Sequence, residues 1–284
     1  MAEFAEVNSI YLGSRSSSSL SSAYGDAGLD GSPVHKIPSK EVALKTLRQL
    51  IVSNNNPDIT CGTDDDEFLT RFLFARKMNA EEAYNLLANY FAYRKRNPEL
   101  FENLTTRDPL VKQALYDGFP GVLPNKDRKG RTILVFFCNN WEDNNYPLEV
   151  VYRALILSLE KLLCEVHNQA NGFVVIVDWT DISLRQVTSL ANKTLKLMIE
   201  GLQDCFPARF KGIHFINQPW YIDPVITLLK AFLKEKTKKK IYVHGNNLST
   251  LHEHIPMDVL PAELGGEGPP HSPTIWAHEL TEGS

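Results

Sequence analysis

The chain lacks long apolar runs: its longest, Ile133 to Cys138, is six residues, against the roughly 20 that a membrane-spanning helix needs. No bilayer span is expected. Cysteine is scarce as well, with four in 284 residues (Cys61, Cys138, Cys164 and Cys205) and no CxxC pair. That spacing excludes a zinc ribbon and a disulfide framework and points to reduced, cytosolic thiols. The opening MAEFAEVNSI puts acids where a secretory signal has a basic segment and a long apolar one, so a secretory route is not expected. GxSxG, GxxxxGKS/T, HExxH and a GxGxxG following a strand are all missing. The expectation is a non-enzyme that needs no cofactor and no metal.

What is present is ordinary for a folded protein, with 43% hydrophobic and 23% charged residues. A net charge of −4 argues against a nucleic-acid binder, but the charge is unevenly spread. Between Arg209 and Lys240 eight Lys/Arg face two acids, Asp223 and Glu235, a local +6 that leaves −10 for the other 252 residues. A basic face on an acidic protein suggests an anionic partner.

Residues 1–38 are rich in Ser and Gly, with few apolar anchors and no sustained period, a composition expected to stay disordered. From Ser39 to Arg96 the pattern is helical. Val42, Leu44, Leu47, Leu50 and Ile51 mark a first helix, and Thr63 with Asp66, then Asn79 with Glu82, read as capping boxes for two more. Asp108-Pro109 starts a linking helix to about Tyr116 within residues 97–117.

Beyond Gly118 the reading is strand Thr132–Phe137, helix Leu148–Val166, strand Phe173–Val177, helix Ser183–Glu200 and strand Ile213–Ile216. A helix capped by Asp223 and running from Pro224 to about Lys234 follows, then strand Ile241–Val243. Alternating strands and helices make residues 118–276 an α/β domain with a mainly parallel sheet, residues 277–284 being a tail.

His252 and His254 occupy alternate positions on a short helix, diverge, and have no third ligand nearby, so they read as solvated surface. Asp178, at the carboxyl edge of FVVIVD, is read as a cap or loop anchor in preference to a functional acid. Phe136, Phe137, Phe173 and Phe215, with the neighbouring Val/Ile residues, give more apolar surface than short sheet faces need. Core packing explains this, or a lipophilic cavity between sheet and helices. In the second case Val135, Phe137, Val175, Val177 and Phe215 are candidate lining.

In WYIDPVITLLKAFLKEKTKKK, Val225, Leu228, Leu229 and Phe232 share one helix face, Trp220 and Tyr221 precede it, and Lys234, Lys236, Lys238, Lys239 and Lys240 follow. Such a helix covers a sheet or meets a membrane, apolar side inserted and lysines on anionic head groups.

From Glu41 to Trp276 these residues resemble the CRAL-TRIO lipid-binding proteins. DDEFLTRFLFARK (65–77) is similar to the family's helical amino-terminal segment and GFPGVLPNKDRKGR (118–131) to its approach to the sheet. NGFVVIVDW, GLQDCFPARFKGIHFINQPW, KIYVHGNN and LPAELGG follow in the family's order. The nearest branch is that of clavesin, alpha-tocopherol transfer protein and retinaldehyde-binding protein, with clavesin nearest at GLQDCFPARF and INQPWYI.

The resemblance implies a hydrophobic pocket for a retinoid, tocopherol or phospholipid, closed by a movable gate helix at about Pro224–Leu233. It also implies a phosphoinositide site of Arg209, Lys211, Lys236 and Lys240 beside that gate, and a structural pairing role for Arg71. A cytoplasmic protein that binds membranes reversibly, endosomal or trans-Golgi, would follow. Three positions depart from the pattern: Phe74 replaces an arginine of RFLRAR-type relatives, Ala231 a gate-helix proline, and Thr132 a lysine that clavesins associate with phosphoinositide binding. A lipid carrier is the first reading, and a phosphoinositide-recognising trafficking adaptor the second.

Overall fold

The computed structural model describes residues 38–190 and 193–282; the head expected to be disordered lies, up to residue 37, outside the described residues. The amino-terminal unit is three packed helices, α1 (Lys40–Asn54), α2 (Asp66–Ala75) and α3 (Ala80–Arg96). Ser39 caps α1, and the Asn79 amide oxygen caps α3 by accepting the Glu82 N–H at 3.1 Å.

Thr63 does not cap α2. Asp65, the residue directly before the first helical turn, accepts the N–H groups of Glu67 and Phe68 at 2.8 and 3.1 Å, and its carboxylate also suits the positive end of the helix. Val42 is exposed, because the buried stripe of α1 runs through Ala43, Leu44 and Leu47. Short α4 (Pro98–Phe101) and α5 (Pro109–Tyr116) lead to the sheet, and Asp108 caps α5 through the N–H groups of Leu110 and Val111.

Among the described residues the sheet has five strands in the order β1 (Gly121–Val122), β2 (Thr132–Phe137), β3 (Phe173–Asp178), β4 (Phe210–Ile216) and β5 (Ile241–Val243). Only β1 runs antiparallel; the rest are parallel, and the fold is the expected α/β arrangement with a helical unit in front. Crossovers are α6 (Leu148–Leu162) with α7 (Val166–Asn171), then α8 (Leu184–Leu190) with α9 (Lys193–Glu200), then α10 (Asp223–Phe232) with α11 (Glu235–Lys238). Two further helices are α12 (Leu248–His252) and α13 (Pro273–Glu282).

The helix expected over 148–166 stops at Leu162 because side chains take its last carbonyls. Asn168 Nδ2 donates to Leu162 O and Gln169 Nε2 to Leu163 O, each at 2.8 Å. The helix expected over 183–200 is α8 and α9, with residues 191–192 outside the description, and a wide π turn at Gly201–Cys205 follows. A side chain at Gly201 would collide with the hydroxyls of Tyr93 and Tyr152. Asp223 is no cap: its backbone is already helical (φ −54°, ψ −39°) and its side chain makes no capping bond, since a tight turn at Trp220–Ile222 feeds straight into α10. Residues expected as a tail continue α13, whose Trp276, Ala277 and Leu280 are buried, Trp276 Nε1 donating to Ser158 Oγ at 3.0 Å.

Two cores result. The larger joins the helical unit, α6 and α10 to the sheet face of Leu134, Phe173 and Phe215. The smaller packs Ile133, Val135, Val174, Ile176 and Ile216 against Leu251, Ile255, Leu260 and Leu264. No helix among the described residues is long and apolar enough to cross a membrane.

Candidate functional site

Strand pairing decides which apolar residues can share a cavity. Leu134 pairs with Val175 and Phe136 with Val177, while Val175 pairs with Ile213 and Val177 with Phe215. Side chains alternate across a strand, so Leu134, Phe136, Val175, Val177, Ile213 and Phe215 form one face, the face towards α10. Val135 and Phe137 point the other way, into the smaller core, and cannot line a cavity with Val175, Val177 and Phe215. TILVFF is apolar at every position, so its alternation carries no sign of which residues face which side.

Cover over the α10 face is incomplete. Val175 and Val177 belong to β3, the middle strand, yet both are only half-buried, as are Phe136 and Ile213 beside them and Leu195, Met198 and Leu202 of the same core. Central strands of a helix-covered sheet are normally closed off. Here, apolar surface is left accessible between the sheet and the helices above it.

The expected gate face of Val225, Leu228, Leu229 and Phe232 is divided. Val225 is buried with Ile226, Leu229 packs partly against the core, and Leu228 and Phe232 remain 36% and 40% exposed. Trp220, just before α10, is 82% exposed. One apolar edge of α10 therefore faces out, with the Lys196 ammonium 5.6 Å from the Phe232 ring centre.

At the amino ends of β4 and β5 the basic residues converge. Gly172, at φ +79°, lets its turn approach the Arg209 backbone where a Cβ would clash. Phe173 N–H donates to Arg209 O, and Arg209 Nη1 to Ala170 O, both at 2.8 Å. Burial and then the charges of Arg209, Lys240, Lys77 and Arg131 hold the Lys211 ammonium down to about 8. Lys240, which donates to Phe210 O at 2.7 Å, is likewise lowered, by burial and then by Lys236, Arg209 and Lys77.

The four basic residues expected together thus act on one another. Lys77 and Arg131 join them; a charge count along residues 209–240 cannot see either, because the turn after α2 and the turn before β2 deliver them from elsewhere in the chain. Within the basic stretch Lys234 is paired with Asp204 and Lys238 with Glu235, which leaves the outward positive charge to the others.

The remaining candidates are structural. Asp178 Oδ1 accepts the Thr180 N–H, the Thr180 hydroxyl and the Asn217 amide at 3.0, 2.7 and 3.0 Å, anchoring the loops at the strand ends. A ring nitrogen of His252 meets Leu264 O at 3.0 Å. The Thr132 hydroxyl is buried against Asn168 Oδ1 at 2.7 Å.

Comparison with known proteins agrees with this architecture. The family model for the CRAL/TRIO domain matches residues 116–266, from the end of α5 across the whole sheet. Clavesin-1 of Xenopus laevis is 49% identical over 237 residues, covering 84% of this chain and 71% of that protein. Clavesin-2 of Homo sapiens is 48% identical over 239 residues, covering 84% and 72%. Among solved structures, the crystal structure of Sfh5 superposes with a TM-score of 0.53 at 15% identity, over 76% of this chain and 83% of that one, a likeness of fold.

Proposed function

The chain belongs to the CRAL/TRIO family, and from that premise we propose a carrier that shelters one lipophilic molecule under α10 and docks on phosphoinositide-bearing membranes. The observation that carries the reading is the accessible apolar surface of Val175 and Val177 on the central strand. A retinoid, a tocopherol or a phospholipid tail would complete that cover. Burying apolar surface yields roughly 25 cal/mol per Å² before ordering costs, so ~300 Å² of tail gives ~7 kcal/mol with few polar contacts. No bond is made or broken in this cycle, and the protein is not an enzyme.

Docking draws on Arg209, Lys211, Lys236 and Lys240, supplemented by Lys77, for anionic head groups, and on Trp220, Leu228 and Phe232 for the apolar interface. A membrane that binds these groups better with α10 lifted shifts α10 towards opening. A cytosolic protein that visits membranes, endosomal or trans-Golgi, follows.

Solvent extraction and mass spectrometry of the purified protein, followed by transfer between donor and acceptor vesicles, tests the reading. One lipid per chain, delivered faster to phosphoinositide vesicles, is expected. A protein that holds no lipid yet binds those vesicles would be an adaptor instead.

A further inference from the structure

The two ends of α10 are held by different kinds of contact. At its amino end the Trp220–Ile222 turn is fixed inside the protein. Ile222 is fully buried and its N–H donates to Pro219 O at 3.0 Å, while the Tyr221 hydroxyl donates to Ile182 O at 2.6 Å, just before α8. Val225 and Ile226, at the start of the helix, are buried as well. Burial then decreases, through half-buried Leu229 to Phe232, and the chain leaves the helix extended at Leu233 (φ −87°, ψ 143°).

The carboxyl end is held by polar contacts near the surface. Lys234 N–H donates to Gln203 Oε1 at 2.8 Å, and the Lys234 ammonium pairs with the Asp204 carboxylate. Both partners stand on the wide π turn Gly201–Cys205, a backbone form that recurs at functional sites. That turn is itself tied to the helical unit: Asn89 Nδ2 of α3 donates to Asp204 O at 3.3 Å, and Gly201 lies against Tyr93 and Tyr152. Gln203 Nε2 reaches Asp204 Oδ2 at 3.3 Å, so the two side chains support each other.

A surface ion pair and a single hydrogen bond are each weak, whereas freeing Ile222, Val225 and Ile226 would expose apolar area that is now buried. Spontaneous opening therefore favours the carboxyl end. We propose that α10 opens from that end, turning on the Trp220–Ile222 turn, and that Gln203 and Asp204 are positioning residues, a catch on Lys234 that keeps the helix down over the sheet. Its purpose rests on the carrier reading: the catch sets how often the apolar face of Val175 and Val177 is uncovered for a lipophilic molecule to enter or leave.

Thiol alkylation of the full chain tests this and needs no lipid. Leu229→Cys and Val225→Cys each place one reporter on the inward face of α10, towards either end. Labelling by N-ethylmaleimide is followed peptide by peptide by mass spectrometry, so that Cys61, Cys138, Cys164 and Cys205 are counted apart. Adding Gln203→Ala should speed labelling at position 229 about 5-fold, and Asp204→Ala about 2- to 5-fold, with labelling at position 225 unchanged. Lys234→Ala should match Asp204→Ala and add nothing to it, because each removes the same ion pair. Raised salt should speed labelling at position 229 where the pair is intact and not in the Asp204→Ala chain; general loosening of the fold would instead move both reporters at any salt. Equal acceleration at position 225 would mean that the helix lifts as a whole, and no acceleration at position 229 would leave the catch without effect; either overturns the proposal. A protein that yields no lipid on extraction would end the carrier reading and leave this labelling pattern intact.

Discussion

Arg71 Nη1 lies 3.2 Å from Glu160 Oε2, with both side chains almost wholly buried where α2 of the helical unit meets α6 of the α/β domain. Tyr90 donates to the other Glu160 oxygen at 2.7 Å and Arg94 stands 3.7 Å away. One carboxylate thus serves groups from α2 and α3. Its own helix is the first crossover of the sheet, so the family domain and the preceding helices are joined through charge as well as packing.

Removing one member of a buried pair leaves the other charge uncompensated, at a cost of about 3–5 kcal/mol. Glu160→Gln should therefore destabilise the whole chain by about 3 kcal/mol in urea unfolding, with near-ultraviolet and far-ultraviolet signals moving together. A loss below about 1 kcal/mol would mean that packing alone holds the junction.

Much of this was legible in the sequence where local chemistry decides the outcome. Asn79 and Asp108 each precede a helical apolar stripe and cap it, and the alternation of strands and helices determines a parallel sheet. The misses have physical causes. TILVFF has no polar position, so the sides of Val135 and Phe137 depend on register with β3. Asp65 outcompetes Thr63 because the helix starts two residues later than the Thr63–Asp66 pairing requires. The seating of α13 depends on Ser158, far away in the chain, and Lys77 joins the basic cluster only through the tertiary fold.

The His214 environment gives a pH prediction. Its imidazole falls from 6.5 to about 3 on folding, so below pH 6.5 the unfolded chain takes up a proton that the native chain lacks. This contribution to stability is complete above pH 6.5 and is lost progressively as pH falls towards 3. From pH 6.5 to 5.5 the loss is about 1 kcal/mol, and His244, also lowered chiefly by burial, acts in the same direction. His214→Phe should flatten the slope of unfolding free energy between pH 6.5 and 5, whatever its offset at pH 7.5; an unaltered slope would count against this assignment.

The basic cluster predicts a salt-sensitive docking step. Each basic residue near an anionic surface is worth roughly 1 kcal/mol, so Lys236→Ala with Lys240→Ala should weaken binding to phosphoinositide vesicles about 10- to 30-fold. Raising salt should reproduce the loss in the unmodified chain, because charges on the surface are screened within about 10 Å at 0.1 M. Lipid held in solution should be unchanged. Equal vesicle binding by both proteins at low salt would reduce these lysines to a solvated face.

The two sides of the sheet offer a paired test of the carrier reading. Val177 and Val135 are the same residue type on neighbouring strands, yet Val177 is half-buried beneath α10 while Val135 is fully packed in the smaller core. Enlarging a side chain in a close-packed core forces strain of about 1–3 kcal/mol, whereas enlarging one into open space costs little. Val135→Phe should therefore destabilise the protein by that amount and leave lipid content per folded molecule unchanged. Val177→Phe should shift stability by less than about 1 kcal/mol, yet reduce the lipid recovered by extraction, because the ring takes volume that the ligand needs. Matched losses of stability in the two variants, with no change in lipid, would show the α10 face to be ordinary core and end the carrier reading.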